Sequence, residues 1–395
     1  MTKVLVLGLG LQGKAVIHDL EQSDLVSEVL VADMNPQAMR GFLEHKGYRK
    51  CRAVGLDAAR EGALLELIET VAPKITISML PADFNYTVAR AALTAGCNFV
   101  SSSYAGRVAE LDAEARAKGS TLLPEMGMDP GIDLVLGRLA VDELDVVHGL
   151  YSYGTGLPEP DCAGDNPLHY KITWTFDGVL KAYKRSSRIL KNGREVAIAG
   201  EEIFKDEHGH TVEIPGLGPL EAYPNGDAVH FIQVFGLGSE VRDMGRFALR
   251  YPGHRRFWAV MAQLGFLDDA PLPVDGGSIS PRQFLVRHLT PKLQFAANER
   301  DVIILRVTAW GLKEGRQRRV TYQLIDYRDL NNGLFAMNRT VGYTASIAAQ
   351  MILKGQITEA GVLSPARDVP PKDLLRELKA RGMKIEHRVE ESEDL

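Results

Sequence analysis

The sequence has few of the features that mark secreted, membrane-spanning or metal-binding proteins. Its 395 residues include three cysteines, Cys51, Cys97 and Cys162, which are far apart and fit no metal-binding or CxxC spacing. We therefore expect neither a disulfide scaffold nor a metal site, which favours a reducing compartment. No stretch approaches the ~20 consecutive apolar residues that a membrane-spanning helix needs. The sequence thus predicts a cytoplasmic protein without a membrane partner.

An excess of charge of one sign is also lacking. The formal net charge is -5, and the composition of 45% hydrophobic and 25% charged residues is that of an ordinary globular protein. The basic clusters Lys181–Arg188 and Arg316–Arg319 are short and typical of solvated helix or hairpin faces. We therefore expect no nucleic-acid partner. The length allows two domains.

The most informative segment lies near the N-terminus, where the apolar run Val4–Leu7 leads into a glycine turn and a helical stretch. In a βα unit that binds a dinucleotide, the first glycine permits the tight turn and the second lets the backbone approach the pyrophosphate. The third glycine lets the helix pack against the strand. The helix N-terminus offers free N–H groups to the anion. The turn therefore predicts a dinucleotide site formed by Gly8, Gly10, Leu11, Gln12 and Gly13.

Asp33 follows the second apolar run, Glu28–Ala32, about 20 residues beyond the third glycine. A carboxylate at this position accepts hydrogen bonds from the adenosine ribose and repels a 2′-phosphate. The next residues, Met34, Asn35 and Pro36, include no arginine. The pattern favours NAD over NADP as the cofactor. The alternative interpretation is a surface aspartate that ends a strand before a turn.

Strand and helix signals divide the chain into three parts. They alternate over residues 1–130, which predicts an α/β Rossmann domain with a doubly wound parallel sheet. Residues 131–335 predict an α+β substrate and dimerisation domain with a mixed or antiparallel sheet, and one of its helices is expected around Val179–Leu190. Residues 336–395 predict a C-terminal helix that returns to the Rossmann domain, followed by a frayed charged tail, Glu386–Leu395.

Ligands of an open parallel sheet bind at the carboxyl ends of its strands. Asp57 occupies such a position. We expect it either to contact the adenine side of the cofactor or to cap the following helix. A second such segment is expected either to hold the nicotinamide end of the cofactor or to form an ordinary strand-to-helix turn. It consists of Ser78, Met79, Leu80 and Pro81.

Three later segments contain candidates for the reaction itself. Ser103 and Tyr104 offer hydroxyls beside the expected nicotinamide position, although such loops also start helices. Asp129 lies in a turn at the end of the Rossmann domain. Three roles are expected for it there: it caps the helix from Ile132, it binds a substrate ammonium, or it serves as a base. Lys171, in a segment rich in aromatics, binds a carboxylate, acts as a base or is a surface lysine.

These motifs resemble those of the saccharopine dehydrogenase family over nearly the whole chain. The matching segments are Gly8–Gly13, Ile77–Pro81, Ser102–Tyr104, Glu125–Asp133, Gly156–Pro158, Asp165–Leu168, Tyr170–Lys171 with Trp174, Tyr223–Asn225 and Ala336–Leu363. The resemblance implies an NAD(P)-dependent oxidoreductase that acts on the CH–NH bond of a lysine-derived amine. Saccharopine would yield glutamate and aminoadipate semialdehyde by hydride transfer and imine hydrolysis.

The same resemblance implies roles for individual residues. Asp129 and Tyr104 are expected near the reacting amine, and Lys171 and Asn225 are expected to hold carboxylates. Asp129, Tyr104 and Lys171 are the catalytic candidates, and Ser103 and Tyr170 complete the expected substrate contacts. By analogy, the protein is expected to be a homodimer that acts on a small amino-acid substrate.

The chain departs from the glutamate-forming branch of the family at one informative position. That branch typically shows Asn-Arg-Asp after Tyr-Pro, with the arginine on a substrate carboxylate, whereas this chain has Asn225-Gly226-Asp227. Losing a bidentate clamp weakens the binding of a dicarboxylate in particular. Three alternatives therefore stay open: an NAD-dependent lysine 6-dehydrogenase, a reductive aldehyde–amine condensation as in polyamine-forming relatives, and a non-catalytic dinucleotide sensor.

Overall fold

The computed structural model describes residues Thr2–Ser392. The chain groups into two compact units. The first consists of residues up to 136 together with 338–384, and the second of residues 137–337 together with those from 385 onward. The C-terminal segment predicted over 336–395 is therefore divided between the two units.

The first unit contains a parallel sheet in the order β17-β6-β5-β4-β1-β2-β3, the doubly wound arrangement of a Rossmann domain. The interior strand β1 is buried on both faces, which explains why Val4–Leu7 is a continuous apolar run. The strands are β1 (Lys3–Leu7), β2 (Glu28–Asp33), β3 (Cys51–Gly55), β4 (Ile75–Ser78), β5 (Asn98–Ser101), β6 (Thr121–Leu123) and β17 (Gly361–Val362). The predicted α/β class is confirmed.

Helices connect these parallel strands. Local signals explain their ends: Asn35 accepts a hydrogen bond from the N–H of Ala38 at 3.0 Å, and Pro36 occupies the first turn of its helix. The helices are α1 (Leu11–Glu21), α2 (Pro36–Lys46), α3 (Ala63–Val71), α4 (Asn85–Thr94), α5 (Asp112–Lys118) and α6 (Ile132–Asp142). Helix α6 begins in the first unit and ends in the second.

The C-terminal part of the first unit returns to its sheet, as predicted. Residues Gly361 and Val362 add strand β17 beside β6. The helices here are α13 (Thr344–Leu353), α14 (Pro365–Asp368) and α15 (Pro371–Ala380), and the short helix α12 (Ala336–Asn338) precedes them at the end of the second unit. Every residue of α13 from Thr344 to Met351 is buried, so this helix belongs to the core of the Rossmann unit.

The second unit is built on a mixed sheet in the order β10-β11-β12-β7-β15-β16-β18. Strands β7 and β12 are parallel and the other pairs on this path are antiparallel. The strands are β7 (Val146–Pro158), β8 (Ser187–Lys191), β9 (Arg194–Ile198), β10 (His210–Ile214), β11 (Gly218–Pro224), β12 (Asp243–Arg250), β13 (Leu272–Val274), β14 (Gly277–Ile279), β15 (Asp301–Lys313), β16 (Arg316–Tyr327) and β18 (Ile385–Ser392). The helices are α7 (Pro160–Ala163), α8 (Phe176–Ala182), α9 (His230–Val234), α10 (His254–Gln263) and α11 (Pro281–Leu289).

Two sequence-based expectations for the second unit are wrong. The predicted helix around Val179–Leu190 is a short helix, α8, followed by strand β8, because residues from Ser187 onward pair with β9. The predicted frayed tail is an ordered edge strand, β18, through Ser392. Its acidic residues oppose the arginines of β16: Glu391 pairs with Arg318. The rest of the tail lies outside the described residues.

Among the described residues, the structure contains no helix that is both long enough and apolar enough to cross a membrane.

The return of the C-terminal helices depends on one buried ionic network. Asp19 of α1 accepts hydrogen bonds from Arg381 Nε and Nη2 at 2.6 and 3.0 Å. The same carboxylate also accepts from Ser346 and Gln350 of α13, at 2.6 and 2.8 Å. Because the side chains of Asp19 and Arg381 are 10% and 15% exposed, removing one leaves the other poorly solvated.

We predict that Asp19→Ala lowers the free energy of unfolding of the first unit by about 3 kcal/mol, since it leaves a half-paired guanidinium in a dry site. Chemical denaturation measures the change. The matched control is Asp373→Ala, which removes the exposed pair with Arg376 on α15 and should cost less than about 1 kcal/mol. Equal losses in the two variants would contradict the assigned role of the network.

Candidate functional site

The glycine turn after β1 is shaped by two very close backbone contacts. Gly8 has φ +90°, and a Cβ there would lie 2.9 Å from the carbonyl oxygen of Met79. A Cβ on Gly13 would lie 2.0 Å from the carbonyl oxygen of Gly8. Nothing lies within 4 Å of a Cβ on Gly10. The first and third glycines are therefore required by packing, whereas the second borders open space, as a pyrophosphate site needs.

The start of α1 faces the same turn. The side chain of Leu11 is exposed, and the side-chain oxygen of Gln12 is buried without a hydrogen-bond partner among the described residues. Buried polar atoms are almost always hydrogen-bonded, so an orphaned acceptor here fits a site that receives a polar ligand. The residues of the turn thus fit a dinucleotide.

Asp33 has a partner within the loop. Its Oδ2 accepts a hydrogen bond from the N–H of Leu9 at 2.8 Å, which ties the end of β2 to the glycine turn. The N–H of Gly8 donates to the carbonyl oxygen of Ala32 at 2.8 Å and reinforces the same connection. The carboxylate therefore has a structural task that it performs whichever dinucleotide binds.

The segment after β4 lies directly against the glycine turn. The N–H of Met79 donates to the carbonyl oxygen of Leu7 at 2.8 Å, and Leu80 reaches to 3.3 Å from the Cβ position of Gly8. Ser78 is buried, and Pro81 is exposed at the start of a 3-10 turn. The structure thus brings this predicted cofactor segment together with the glycines.

The side chain of Asp57 does not cap the helix that follows it. Its Oδ1 accepts a hydrogen bond from the N–H of Ala59 at 3.0 Å, so the exposed side chain stabilises its own turn. The residue before the first turn of α3 is Gly62 and not Asp57. The helix-cap interpretation of Asp57 is therefore wrong, and its contact with a cofactor stays a prediction.

The segments that contain Ser103, Tyr104 and Asp129 run side by side. The N–H of Met126 donates to the Ser101 carbonyl oxygen at 2.8 Å, and the N–H of Glu125 donates to that of Ser103 at 2.9 Å. These bonds place both loops at the carboxyl end of β5, next in the sheet to β4. Tyr104 is exposed and Asp129 is half-buried in this part of the unit.

A further carboxyl group, which the sequence argument did not single out, lies close to Asp129. Asp133 is buried and accepts hydrogen bonds from the N–H groups of Gly131, at 2.7 Å, and Leu134. It thereby caps the start of α6. Burial raises the pKa of Asp133 to about 7, although these hydrogen bonds lower it. The signal for it was present, because Asp133 ends the motif that begins at Glu125.

In the second unit, Lys171 is engaged in two ion pairs. Its Nζ lies 2.8 Å from Asp165 Oδ2 and 2.5 Å from Glu299 Oε1, and the side chain is 6% exposed. Burial lowers the pKa of Lys171, but the hydrogen bonds to the two carboxylates outweigh it and raise the pKa overall. The surface-lysine interpretation is wrong. The raised pKa keeps the Lys171 ammonium protonated, whereas a general base has to be deprotonated.

Tyr170 belongs to a buried cluster around an arginine. Its hydroxyl has no hydrogen-bond partner among the described residues, and its ring lies 5.4 Å from the guanidinium of Arg250. Arg250 donates to Tyr183 at 3.2 Å and to Thr155 at 2.7 Å. No carboxylate of the described residues pairs with this guanidinium, whose positive charge faces aromatic rings.

Gly226 lies beside an arginine that the sequence argument missed. It has φ +76°, and its N–H donates to Ser187 Oγ at 3.0 Å. A Cβ on Gly226 would lie 3.8 Å from Arg185 Nη1. Arg185 is exposed and pairs with no carboxylate of the described residues, whereas its neighbour Arg188 pairs with Asp227 at 2.8 Å. No local sequence pattern indicates a role for Arg185, because its proximity to Gly226 arises only from the fold.

The predicted substrate residue Asn225 precedes this glycine. It is half-buried, and its N–H donates to the carbonyl oxygen of Arg246 at 2.9 Å. Asn225 is thus adjacent in sequence to Gly226, whose Cβ position lies 3.8 Å from Arg185 Nη1.

Comparisons with known proteins match the whole chain to one family. Residues 4–123 match the family model for the saccharopine dehydrogenase NADP binding domain, and residues 127–383 match that for the saccharopine dehydrogenase C-terminal domain. The chain is 27% identical to the NADP(+)-dependent, L-glutamate-forming saccharopine dehydrogenase of Schizosaccharomyces pombe over 100% of both chains. It is 27% identical to the mitochondrial alpha-aminoadipic semialdehyde synthase of Bos taurus over 96% of this chain, but spans only 47% of that relative.

A solved structure gives the same result. The apo L-Glu-forming saccharopine dehydrogenase of Saccharomyces cerevisiae superposes with a TM-score of 0.85 at 25% identity, over 99% of this chain and 100% of that chain.

The preference for NAD that rested on Asp33 is contradicted by these matches, because the N-terminal family model is that of an NADP binding domain and the S. pombe relative carries NADP(+) in its name. The hydrogen bond from Leu9 explains why Asp33 was a poor guide, since the carboxylate orders the turn in its own right. The matches cover both units, and on this evidence the chain belongs to the saccharopine dehydrogenase family.

Proposed function

We propose that this protein is an NADP-dependent saccharopine dehydrogenase of the glutamate-forming type, located in the cytoplasm. The observation that carries the proposal is the likeness to the yeast L-Glu-forming enzyme, which extends over 99% of this chain with a TM-score of 0.85. The chain belongs to this family, and its oxidoreductase activity, its substrate and its cofactor are proposed here together. The buried, unpaired thiols of Cys51, Cys97 and Cys162 agree with a reducing compartment.

The glycine turn and its neighbours are proposed to hold the cofactor. The open space at Gly10 takes the pyrophosphate, and the backbone N–H groups of Leu11, Gln12 and Gly13 in the first turn of α1 are proposed to donate hydrogen bonds to it. The segment from Ser78 to Pro81 lies beside the turn and borders the nicotinamide. When bound, NADP supplies the hydride acceptor for a carbon that bears the amine nitrogen.

The loops after β5 and β6 are proposed to handle the proton of the substrate amine. The amine must be neutral before a hydride can leave the adjacent carbon, so a nearby carboxylate has to accept its proton. Asp129 is the proposed acceptor, and Tyr104 offers a hydroxyl on the neighbouring loop. Asp133 holds the start of α6 in place through Gly131 and thereby positions the turn that contains Asp129.

Arg185 is proposed to bind a carboxylate of the substrate. The space that a side chain at position 226 would occupy is bordered by this guanidinium, and Gly226 leaves that space open. Arginine is suited to the task because it binds a carboxylate through two parallel hydrogen bonds. A cation here favours saccharopine, which carries several carboxylates, over lysine, which carries one. This cation is the observation that supports saccharopine over lysine as the proposed substrate.

Initial rates of NADPH and NADH formation test the substrate and the cofactor together. We expect turnover with saccharopine and NADP, a kcat/KM at least about tenfold lower with NAD, and no measurable oxidation of lysine. Faster oxidation of lysine than of saccharopine would contradict the proposed substrate. Tight NADPH binding without turnover of either amine would instead indicate a non-catalytic dinucleotide sensor.

The glycine geometry leads to a second prediction. Gly10→Val should leave the fold intact, because nothing lies within 4 Å of the new Cβ, but should weaken NADPH binding at least tenfold, or about 1.4 kcal/mol. Isothermal titration calorimetry measures the affinity, and thermal unfolding monitors the fold. Gly41→Val on the exposed side of α2 is the control, since its Cβ also meets open space. Unchanged NADPH affinity in Gly10→Val would exclude this turn as the pyrophosphate site.

The role of Arg185 gives a third prediction. Arg185→Ala should raise the KM for saccharopine roughly 10- to 100-fold, since a charge-assisted hydrogen-bonded pair contributes about 1.5–3 kcal/mol. The KM for NADP should not change. Arg188→Ala is the control, because that guanidinium is already paired with Asp227. A larger effect from Arg188→Ala than from Arg185→Ala would contradict the assignment.

A further inference from the structure

A long helical segment from the C-terminal part of the chain packs against α1. Helix α12, a π-helical turn at Arg339–Tyr343 and helix α13 follow one another without a break. The residues of this segment from Asn338 onward belong to the first unit, as α1 does. We call residues 338–353 the return helix.

The return helix runs parallel to α1, and a contact near each of its ends establishes the direction. Near its start, a Cβ on Gly342 would lie 2.6 Å from the carbonyl oxygen of Gln12. Near its end, Gln350 Oε1 accepts a hydrogen bond at 2.8 Å from Ser23 Oγ, just beyond the last turn of α1. The two helices therefore begin at the same place, the carboxyl edge of the parallel sheet, where the glycine turn lies.

Asn338 occupies the end of the return helix that lies beside the start of α1. It precedes Gly342 by one turn, and residues four apart lie on the same face of a helix. The Cα–Cβ bonds of a helix tilt toward its N-terminus. The side chain of Asn338 is therefore directed along the α1-facing side toward the carboxyl ends of the strands.

The return helix lies on one particular side of α1. Helix α13 contacts strands β4 and β5 as well as α1, whereas α1 contacts β1 and β2. In a Rossmann unit the adenosine ribose binds at the end of β2, and the other half of the dinucleotide extends across the crevice to the opposite side of β1. Asn338 is therefore on the side of the proposed cofactor that carries the nicotinamide.

The side chain of Asn338 has an unused hydrogen-bond acceptor in a buried position. The residue is 3% exposed, and its Oδ1 has no hydrogen-bond partner among the described residues. Leaving a buried acceptor unsatisfied costs free energy, so such an atom indicates a missing donor. The pyrophosphate only accepts hydrogen bonds and cannot be that donor. A ribose hydroxyl can, and the ribose on this side of α1 is the one attached to the nicotinamide.

Two further features of the same region agree with a ligand there. Gln12 Oε1 is a second buried acceptor without a partner among the described residues, on the helix that Gly342 contacts. A ribose carries a pair of neighbouring hydroxyls and can serve more than one acceptor. The π-helical turn Arg339–Tyr343 directly follows Asn338, and π-helical turns occur frequently at functional sites.

We propose that Asn338 accepts a hydrogen bond from a hydroxyl of the nicotinamide-side ribose, so that the C-terminal segment completes the cofactor site. The inference rests on the proposed NADP cofactor and adds to its site a residue far in sequence from the glycine turn. Asn338 is a binding residue in this account. It holds the nicotinamide half of the cofactor in place and exchanges no proton with the substrate.

Calorimetric titrations with NADPH and with adenosine 2′,5′-bisphosphate test the proposal, because the second ligand lacks the nicotinamide and its ribose. Asn338→Leu should weaken NADPH binding about three- to tenfold, the contribution of one hydrogen bond. Its affinity for the bisphosphate should stay within about twofold of the wild type. The matched control is Gln356→Leu, which removes another buried acceptor without a partner among the described residues, beyond the C-terminal end of α13. Neither affinity should change in that control.

Thermal unfolding of the ligand-free proteins checks that Asn338→Leu keeps its fold. Asn338→Ala takes its place if it does not, because alanine is smaller and favours a helix. The proposal is overturned if the folded variant binds NADPH as tightly as the wild type, or if both ligands weaken equally.

Failure of this inference is distinguishable from failure of the proposed cofactor. A wild-type protein that does not bind NADPH overturns both. NADPH binding that Gly10→Val weakens and Asn338→Leu leaves unchanged overturns only the role of Asn338.

Discussion

The carboxylate of Asp33 and the carbonyl oxygen of Gly8 hold the cofactor end of the first unit in one conformation. Asp33 accepts the N–H of Leu9, and the Gly8 oxygen lies where any side chain on Gly13 would begin. These contacts bring β1, β2 and α1 so close together that Gly8 and Gly13 leave no room for a Cβ. Because the turn is fixed by its own chain, the open space at Gly10 exists before any ligand arrives. The loops after β4, β5 and β6 are then arranged around a rigid edge.

The rest of the first unit maintains that edge. Helix α1 carries the cofactor turn at one end and Asp19 at the other, and Asp19 connects it to α13 and to Arg381. A contact between Gly342 and α1, where a Cβ would meet the Gln12 carbonyl oxygen at 2.6 Å, joins the C-terminal segment to the same helix. The C-terminal residues therefore support the cofactor site although they are distant in sequence.

Sequence patterns predicted the features that depend on local geometry. The turn Gly8–Gly13, strand β4 and the return of α13 follow from glycine spacing and apolar periodicity, which neighbouring residues determine. The features that depend on tertiary contacts were not predictable in the same way. Strand β18 looked like a charged tail because its partner, the arginine-rich β16, is distant in the chain. The proximity of Arg185 to Gly226 likewise has no sequence signature. Asp33 led to the wrong cofactor for a related reason. The sequence pattern does not reveal that its carboxylate accepts a hydrogen bond from the N–H of Leu9.

Backbone hydrogen–deuterium exchange with and without NADPH tests the cofactor site most directly, since it locates binding without relying on turnover. The account predicts that NADPH slows exchange of the amides of residues 8–13 and of the first turn of α1, and that NADH at the same concentration does so less. Unchanged exchange in these residues with NADPH, or stronger protection by NADH, would contradict it.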